Sequence, residues 1–126
     1  MTDSTKFDVS THTIGLSRDL LASKVPHRPD PPVPVDGVTF GVATMVENSP
    51  HGGEVHPDGD EILYLISGRV NVVFLDNPED DVEMRAGDGL VVPKGVWHRV
   101  DILEPCQIVY VTPGPNSEFK PLEDDA

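Results

Sequence analysis

From about residue 37 onward the chain is a succession of short β-rich runs cut apart by Gly, Pro, Asn and Asp, and nothing else limits the fold so strongly. "GVTFGVATMVEN" (37–48) alternates loosely and is rich in Val and Thr. "EILYLISG" (61–68) and "RVNVVFLD" (69–76) read as two strands joined tightly at Ser67-Gly68, a hairpin. "NPEDD" (77–81) is a turn, and "VEMRAGDGLVVPKG" is strand, Gly-Asp-Gly turn, strand, Pro-x-Gly. "VWHRVDIL" and "CQIVYVT" are the last two strands, broken apart at Glu104-Pro105. At least seven short strands at regular spacing predict an all-β antiparallel sandwich or barrel. The single helical candidate is "LSRDLLASKV" (16–25), with Leu16, Leu20 and Leu21 at helical spacing and Ser17 as a cap.

With 126 residues the chain makes one domain. Residues 1–36 read as an N-terminal arm, including an extended proline-rich segment at 25–35; residues 37–114 form the barrel, and 115–126 an acidic, frayed tail. "FDVSTHTI" has strand character and could add to a partner's sheet edge, so a homodimer is expected. A net charge of −13 argues against nucleic acid and against an anionic membrane surface. Cys106 is the only cysteine and sits in an apolar run, which predicts an inert buried thiol and fits a reducing cytoplasm. No signal peptide and no membrane-spanning stretch are read in the sequence.

The chemistry concentrates in "GGEVHPDGDEILYLISG", residues 52–68. If Glu54 to His56 lies on a strand, alternation puts both on one face and Val55 on the other. A Pro57-Asp58-Gly59-Asp60 turn follows, and Glu61 opens the next strand on a face shared with Leu63 and Leu65. Far along the chain, His98 opens another strand just behind Pro93-Lys94-Gly95. In a closed barrel Glu54, His56, Glu61 and His98 can converge. Two imidazoles and two carboxylates suit one divalent ion, Mn, Fe, Co, Ni or Zn, with water positions left open. The bland alternative is a set of solvated acidic residues and unrelated histidines.

These residues resemble the two motifs of the cupin superfamily. The first motif is His-x-His, three or four residues, Glu, six residues, Gly; here it reads Glu54-Val55-His56, four residues, Glu61, six residues, Gly68. The second is Gly, five residues, Pro-x-Gly, two residues, His, three residues, Asn; here it reads Gly87, then Pro93-Lys94-Gly95, His98 and Ile102. The resemblance spans roughly residues 37 to 112 and implies the cupin double-stranded β-helix, a jelly-roll barrel. It carries over directly to His56, Glu61 and His98 as metal ligands. Glu54 stands where cupins usually carry the first histidine, and its place on the same face makes it the fourth ligand. His51 is its rival, because Gly52-Gly53 could let the backbone bring it inward. A cupin that has lost its metal is the third alternative.

Tyr64 and Trp97 are expected at outer-sheet or interface positions, Phe40 and Met45 in the core or cavity lining, and His12 and His27 on the surface of the arm. Arg69 and Arg99 would bind a carboxylate substrate only if turned inward; Arg99, next to His98, is expected to point outward, and Arg85 and Lys94 are expected to be exposed turn residues. The function implied is that of a small metalloenzyme. A metal, with Mn or Fe favoured by two carboxylates, acts on a small organic substrate by oxygenase, isomerase or lyase chemistry, and Glu54 or Glu61 doubles as proton acceptor. The competing readings are a metal-free small-ligand-binding module and an epimerase-like cupin with a basic pocket, the latter discouraged by the acidic balance.

Overall fold

The computed structural model describes residues 5–27 and 33–122. Nine strands follow in order: β1 (His12–Ser17), β2 (Ala22–Pro26), β3 (Gly37–Met45), β4 (His51–Val55), β5 (Glu61–Phe74), β6 (Val82–Arg85), β7 (Gly89–Val92), β8 (His98–Pro113) and β9 (Glu118–Pro121). One turn of 3₁₀ helix, Pro78–Asp80, precedes β6, and the described residues hold no α-helix. All strand pairs are antiparallel. One edge-to-edge path runs β2-β1-β3-β8-β4-β9, and β5 joins β8 to β6 and β7. The sheet curls on itself as a jelly-roll barrel does.

Long β5 and β8 are the spine, and here the sequence reading needs correction. Ser67-Gly68 is not a hairpin: β5 runs unbroken past it, paired with β8 from Ile62↔Val111 to Phe74↔His98. Glu104-Pro105 likewise does not end a strand, because β8 continues through it. The register shifts between Leu65 and Val70, opposite this segment. Gly68 takes φ 83°, and a Cβ there would collide with the Pro105 carbonyl and Cys106. A bulge opens the ladder where Pro105 has no N–H to donate. It also keeps one face inward. Buried positions on β5 are Glu61, Leu63 and Leu65 before the bulge and Val70, Val72 and Phe74 after it. The phase of alternation flips from odd to even, which only an irregular residue allows.

That inward face makes the core: Leu63, Leu65, Val70, Val72 and Phe74 of β5 pack with Met84, Val92, Cys106 and Ile108. Cys106 is a buried free thiol, and burial pushes its pKa up.

The helix expected over 16–25 is absent. Leu16 instead pairs with Ala22 and Val38, so β1 and β2 form a hairpin on the edge of β3. Leu20 N–H donates to the Ser17 carbonyl and Leu21 N–H to Ser17 Oγ, closing the loop around a left-handed Leu20. Leu20 and Leu21 therefore sit exposed at a hairpin tip. Ladder pairing with β3 overrides a weak helical pattern of this length. β1 is thus paired within its own chain on both sides. At the other end, β9 pairs with β4 where a frayed tail was expected. The middle of the proline-rich segment, residues 28–32, lies outside the described residues, as do 1–4 and 123–126.

Candidate metal centre

Four strand ends and the turns between them bring the site together. Glu54 lies on β4, His56 one residue beyond its end, Glu61 at the first position of β5 and His98 at the first position of β8. β4 meets β8 through the register pair Glu54↔His98, which puts both side chains on one face. The turns are tied to one another. Gly95 N–H donates to the His56 carbonyl (3.1 Å), and Lys94 N–H donates to Asp60 Oδ1 (2.7 Å). Asp58 accepts from the N–H (2.7 Å) and the side-chain amide (2.9 Å) of Asn116. The Pro93-Lys94-Gly95 turn thereby fixes the turn that carries Glu61 against the one that carries His98.

One ligand atom from each of Glu54, His56, Glu61 and His98 can be chosen so that all lie within 4.8 Å of one another. His98 Nε2 is 2.9 Å from Glu61 Oε1 and 3.4 Å from Glu54 Oε1. His56 Nε2 is 3.2 Å from Glu61 Oε2 and 3.6 Å from Glu54 Oε1. His56, Glu61 and His98 are buried. The Glu54 side chain is 22% exposed against 4% for Glu61, so Glu54 is the more open of the two carboxylates.

Each imidazole is held from behind. His98 Nδ1 donates to the Val96 carbonyl (3.1 Å), which directs its Nε2 into the cluster, where without an ion it donates to Glu61 Oε1 (2.9 Å). His56 Nδ1 meets Ser117 Oγ (2.7 Å), and the Ser117 hydroxyl is 3.4 Å from the Pro113 carbonyl. With the hydroxyl donating to that carbonyl, His56 Nδ1–H donates to Ser117, which turns its Nε2 toward the cluster. Glu61 Oε2 accepts from the Thr112 hydroxyl (2.5 Å). His56 Nε2 is buried and makes no hydrogen bond among the described residues. An orphaned imidazole nitrogen aimed at two carboxylates is what a divalent ion satisfies. The residues fit a metal.

Without an ion, the charges answer each other. Burial alone would push the Glu54 carboxyl up, but contacts with His56 and His98 outweigh it and hold it at about 2. Glu61 is lowered in the same way, burial being opposed by the two imidazoles. Burial alone would lower His56 and His98; the Glu54 and Glu61 carboxylates instead raise them to about 9 and about 10.

His51, the alternative to Glu54, lies outside this four-residue group. Its ring stands 5.3 Å from that of Phe119, at the wall of a cavity that opens in front of the cluster. The cavity is about 710 Å³ and includes Met45, Leu63, Tyr110 and Glu54 in its lining. Phe40, expected in the core or the cavity lining, is instead exposed; Tyr64 is exposed as expected, and Trp97 carries Lys120 Nζ 4.5 Å above its ring. Arg99 is half-buried in an ion pair with Asp101, Arg69 pairs with Glu83, and Arg85 and Lys94 are exposed.

Sequence reasoning missed His27, which lines the cavity with a buried nitrogen, and missed Ser117 and Thr112 behind the ligands. No local signal points to these three, because each reaches the site through a long-range pairing. No helix among the described residues is long and apolar enough to cross a membrane.

Comparison with known proteins agrees with this architecture. A cupin-2 domain protein from Shewanella frigidimarina is 24% identical, with 65% of this chain and 76% of that chain covered at a TM-score of 0.51. A Klebsiella pneumoniae protein with a double-stranded β-helix domain is 20% identical, covering 70% of this chain and 78% of that one, TM-score 0.56. A structure of Bacillus subtilis oxalate decarboxylase, whose Mn(II) centres are named with it, is 19% identical at a TM-score of 0.54; it covers 67% of this chain, which spans 24% of that one. No curated protein matches the chain. The family model described as the cupin domain matches residues 41–112, from the middle of β3 to the end of β8, and so takes in all four clustered residues. The chain belongs to the cupin family.

Proposed function

We propose that this chain is a small mononuclear-metal cupin that acts on a small organic molecule in the barrel interior, by chemistry of the oxygenase, isomerase or lyase type. The observation that carries this reading is the convergence of Glu54, His56, Glu61 and His98 at the wall of a half-open, mainly apolar cavity. All four would hold the ion, His56 and His98 through Nε2. Such an ion supplies Lewis-acid polarisation and, when it is Mn²⁺ or Fe²⁺, redox chemistry. The oxygen-rich donor set leads us to those two metals over Zn²⁺.

The chain's own groups have separable tasks. Ser117 and the Val96 carbonyl fix the orientation of the two imidazoles. Thr112 holds Glu61 in place, which leaves Glu54, the more open carboxylate, to meet a bound molecule and exchange a proton with it. Exposed apolar residues on the outer face, among them Phe40, Tyr64 and Val91, support a homodimer, and the single buried thiol suits the cytoplasm.

A second reading has its own support. The two glutamates and two histidines contact one another closely enough to close the site without an ion. A metal-free cupin that binds a small ligand would look the same. Metal analysis by mass spectrometry, on protein purified without a metal-affinity tag, separates the two. About one equivalent in the wild type that is lost in His56→Ala supports the metal reading. No metal in the wild type after reconstitution supports the other.

A further inference from the structure

The cavity in front of the Glu54 cluster has a charge pattern that narrows what can enter it. Its described lining mixes aliphatic walls, Val35, Val42, Met45, Leu63 and Ile108 among them, with polar side chains, and apolar atoms make up the larger part of the exposed wall. Its polar lining is hydroxyls, imidazoles and two carboxylates, and no Lys or Arg stands among the described lining residues. An anion placed there would meet Glu54 and Glu61, whose charges His56 and His98 at most balance, with no Lys or Arg among the described lining residues to add a surplus of positive charge. The donor set acts in the same direction. Two carboxylates cancel the charge of a divalent ion, so a loaded centre offers no net positive charge to attract an anion. The chain as a whole, at −13, repels anions at longer range.

Two polar groups in the same cavity are unspent. His27 Nε2 and His51 Nδ1 are buried and have no hydrogen-bond partner among the described residues. Both residues line the cavity, from different parts of the fold: His51 opens β4, and His27 directly follows the end of β2. A buried imidazole nitrogen without a partner carries a standing desolvation cost that a ligand oxygen or amide would relieve.

We infer that the cavity selects an uncharged, mainly apolar small molecule and anchors its polar group through His27 and His51, and that carboxylates and phosphates are excluded. This deepens the reading of the cavity as the ligand site of the cupin, and it does not depend on the ion. Neither His27 nor His51 belongs to the clustered four.

The test uses two probes of nearly equal shape, neutral 4-methylbenzamide and anionic 4-methylbenzoate. Each is titrated by NMR into the full chain, once after chelator treatment and once after loading with Mn²⁺ or Zn²⁺. The inference predicts that the amide binds at least tenfold tighter than the benzoate in both forms. It further predicts that His27→Leu and His51→Leu each weaken amide binding severalfold while the far-ultraviolet spectrum stays that of the wild type. Equal or tighter benzoate binding would overturn it, and so would no binding of either probe at millimolar concentration. An amide preference untouched in both histidine variants would overturn the anchoring role. If the chelated protein shows the preference but takes up no metal, the metal reading fails and this inference stands.

Discussion

Glu54 and His98 are register partners, the pair through which β4 is joined to β8, and His98 Nε2 lies 3.4 Å from Glu54 Oε1. A ladder pair puts its two side chains on one face at close range, so the position of Glu54 in the cluster follows from the backbone. Replacing Glu54 by His should therefore preserve a ligand at this position. Glu54→His is expected to retain metal, while Glu54→Ala should lose at least about tenfold in affinity, as loss of one of four donors implies. Competition with a fluorescent chelator measures both. Unchanged affinity in the two variants would remove Glu54 from the site.

The groups behind the ligands make a second prediction. Ser117 Oγ is the partner of His56 Nδ1 at 2.7 Å. Ser117→Ala leaves that nitrogen unpaired and frees the ring to turn. Metal affinity should drop about tenfold to a hundredfold, the usual cost of losing an outer partner of a ligating histidine. Ser117→Thr keeps the hydroxyl and should restore most of the binding.

The charges predict how metal-free protein responds to pH. Unfolded imidazole titrates near 6.5, while His56 and His98 in the fold are raised to about 9 and about 10. Their stabilisation is complete below 6.5 and is lost as pH rises through those values. The Glu54 carboxyl moves the other way, from 4.5 to about 2, so its contribution is present above 4.5 and lost as pH falls toward 2. Chelator-treated protein should show its highest Tm between 4.5 and 6.5, from these groups, and decline on both sides. A divalent ion displaces the imidazole protons, so the Tm gain on adding metal should grow with pH from 6 to 8. Thermal melts across that range, with and without Mn²⁺, check both slopes.

Two glycines with similar backbones separate strain from collision. Gly68 and Gly87 both have positive φ, 83° and 95°. A Cβ at Gly68 would strike the Pro105 carbonyl and Cys106, whereas at Gly87 nothing lies within 4 Å. Gly87→Ala should cost about 1 kcal/mol, the strain alone. Gly68→Ala should cost clearly more, about 3 kcal/mol, because the β5–β8 bulge must also move. Urea denaturation of the two variants measures the difference.

Local patterns revealed the ligands and concealed the spine. Glu54, His56 and Glu61 were legible because alternation and one short turn relate them, and His98 because the Pro93-Lys94-Gly95 turn announces a strand start. The continuity of β5 and β8 was not legible. Gly68 and Pro105 each look like a strand end when read alone, and only their opposition across one bulge explains both. Leu16, Leu20 and Leu21 gave a helical spacing that pairing with β3 overrode. β9 and Ser117 were hidden because nothing nearby in the chain reports that residues 118–121 will pair with β4.

The most direct test is anomalous diffraction at the metal edge, from crystals of protein loaded with Mn²⁺ or Zn²⁺. The account predicts one strong peak within coordinating distance of Glu54, His56, Glu61 and His98, and none at His51. No peak at the cluster, or a peak held by His51 in place of Glu54, would contradict it.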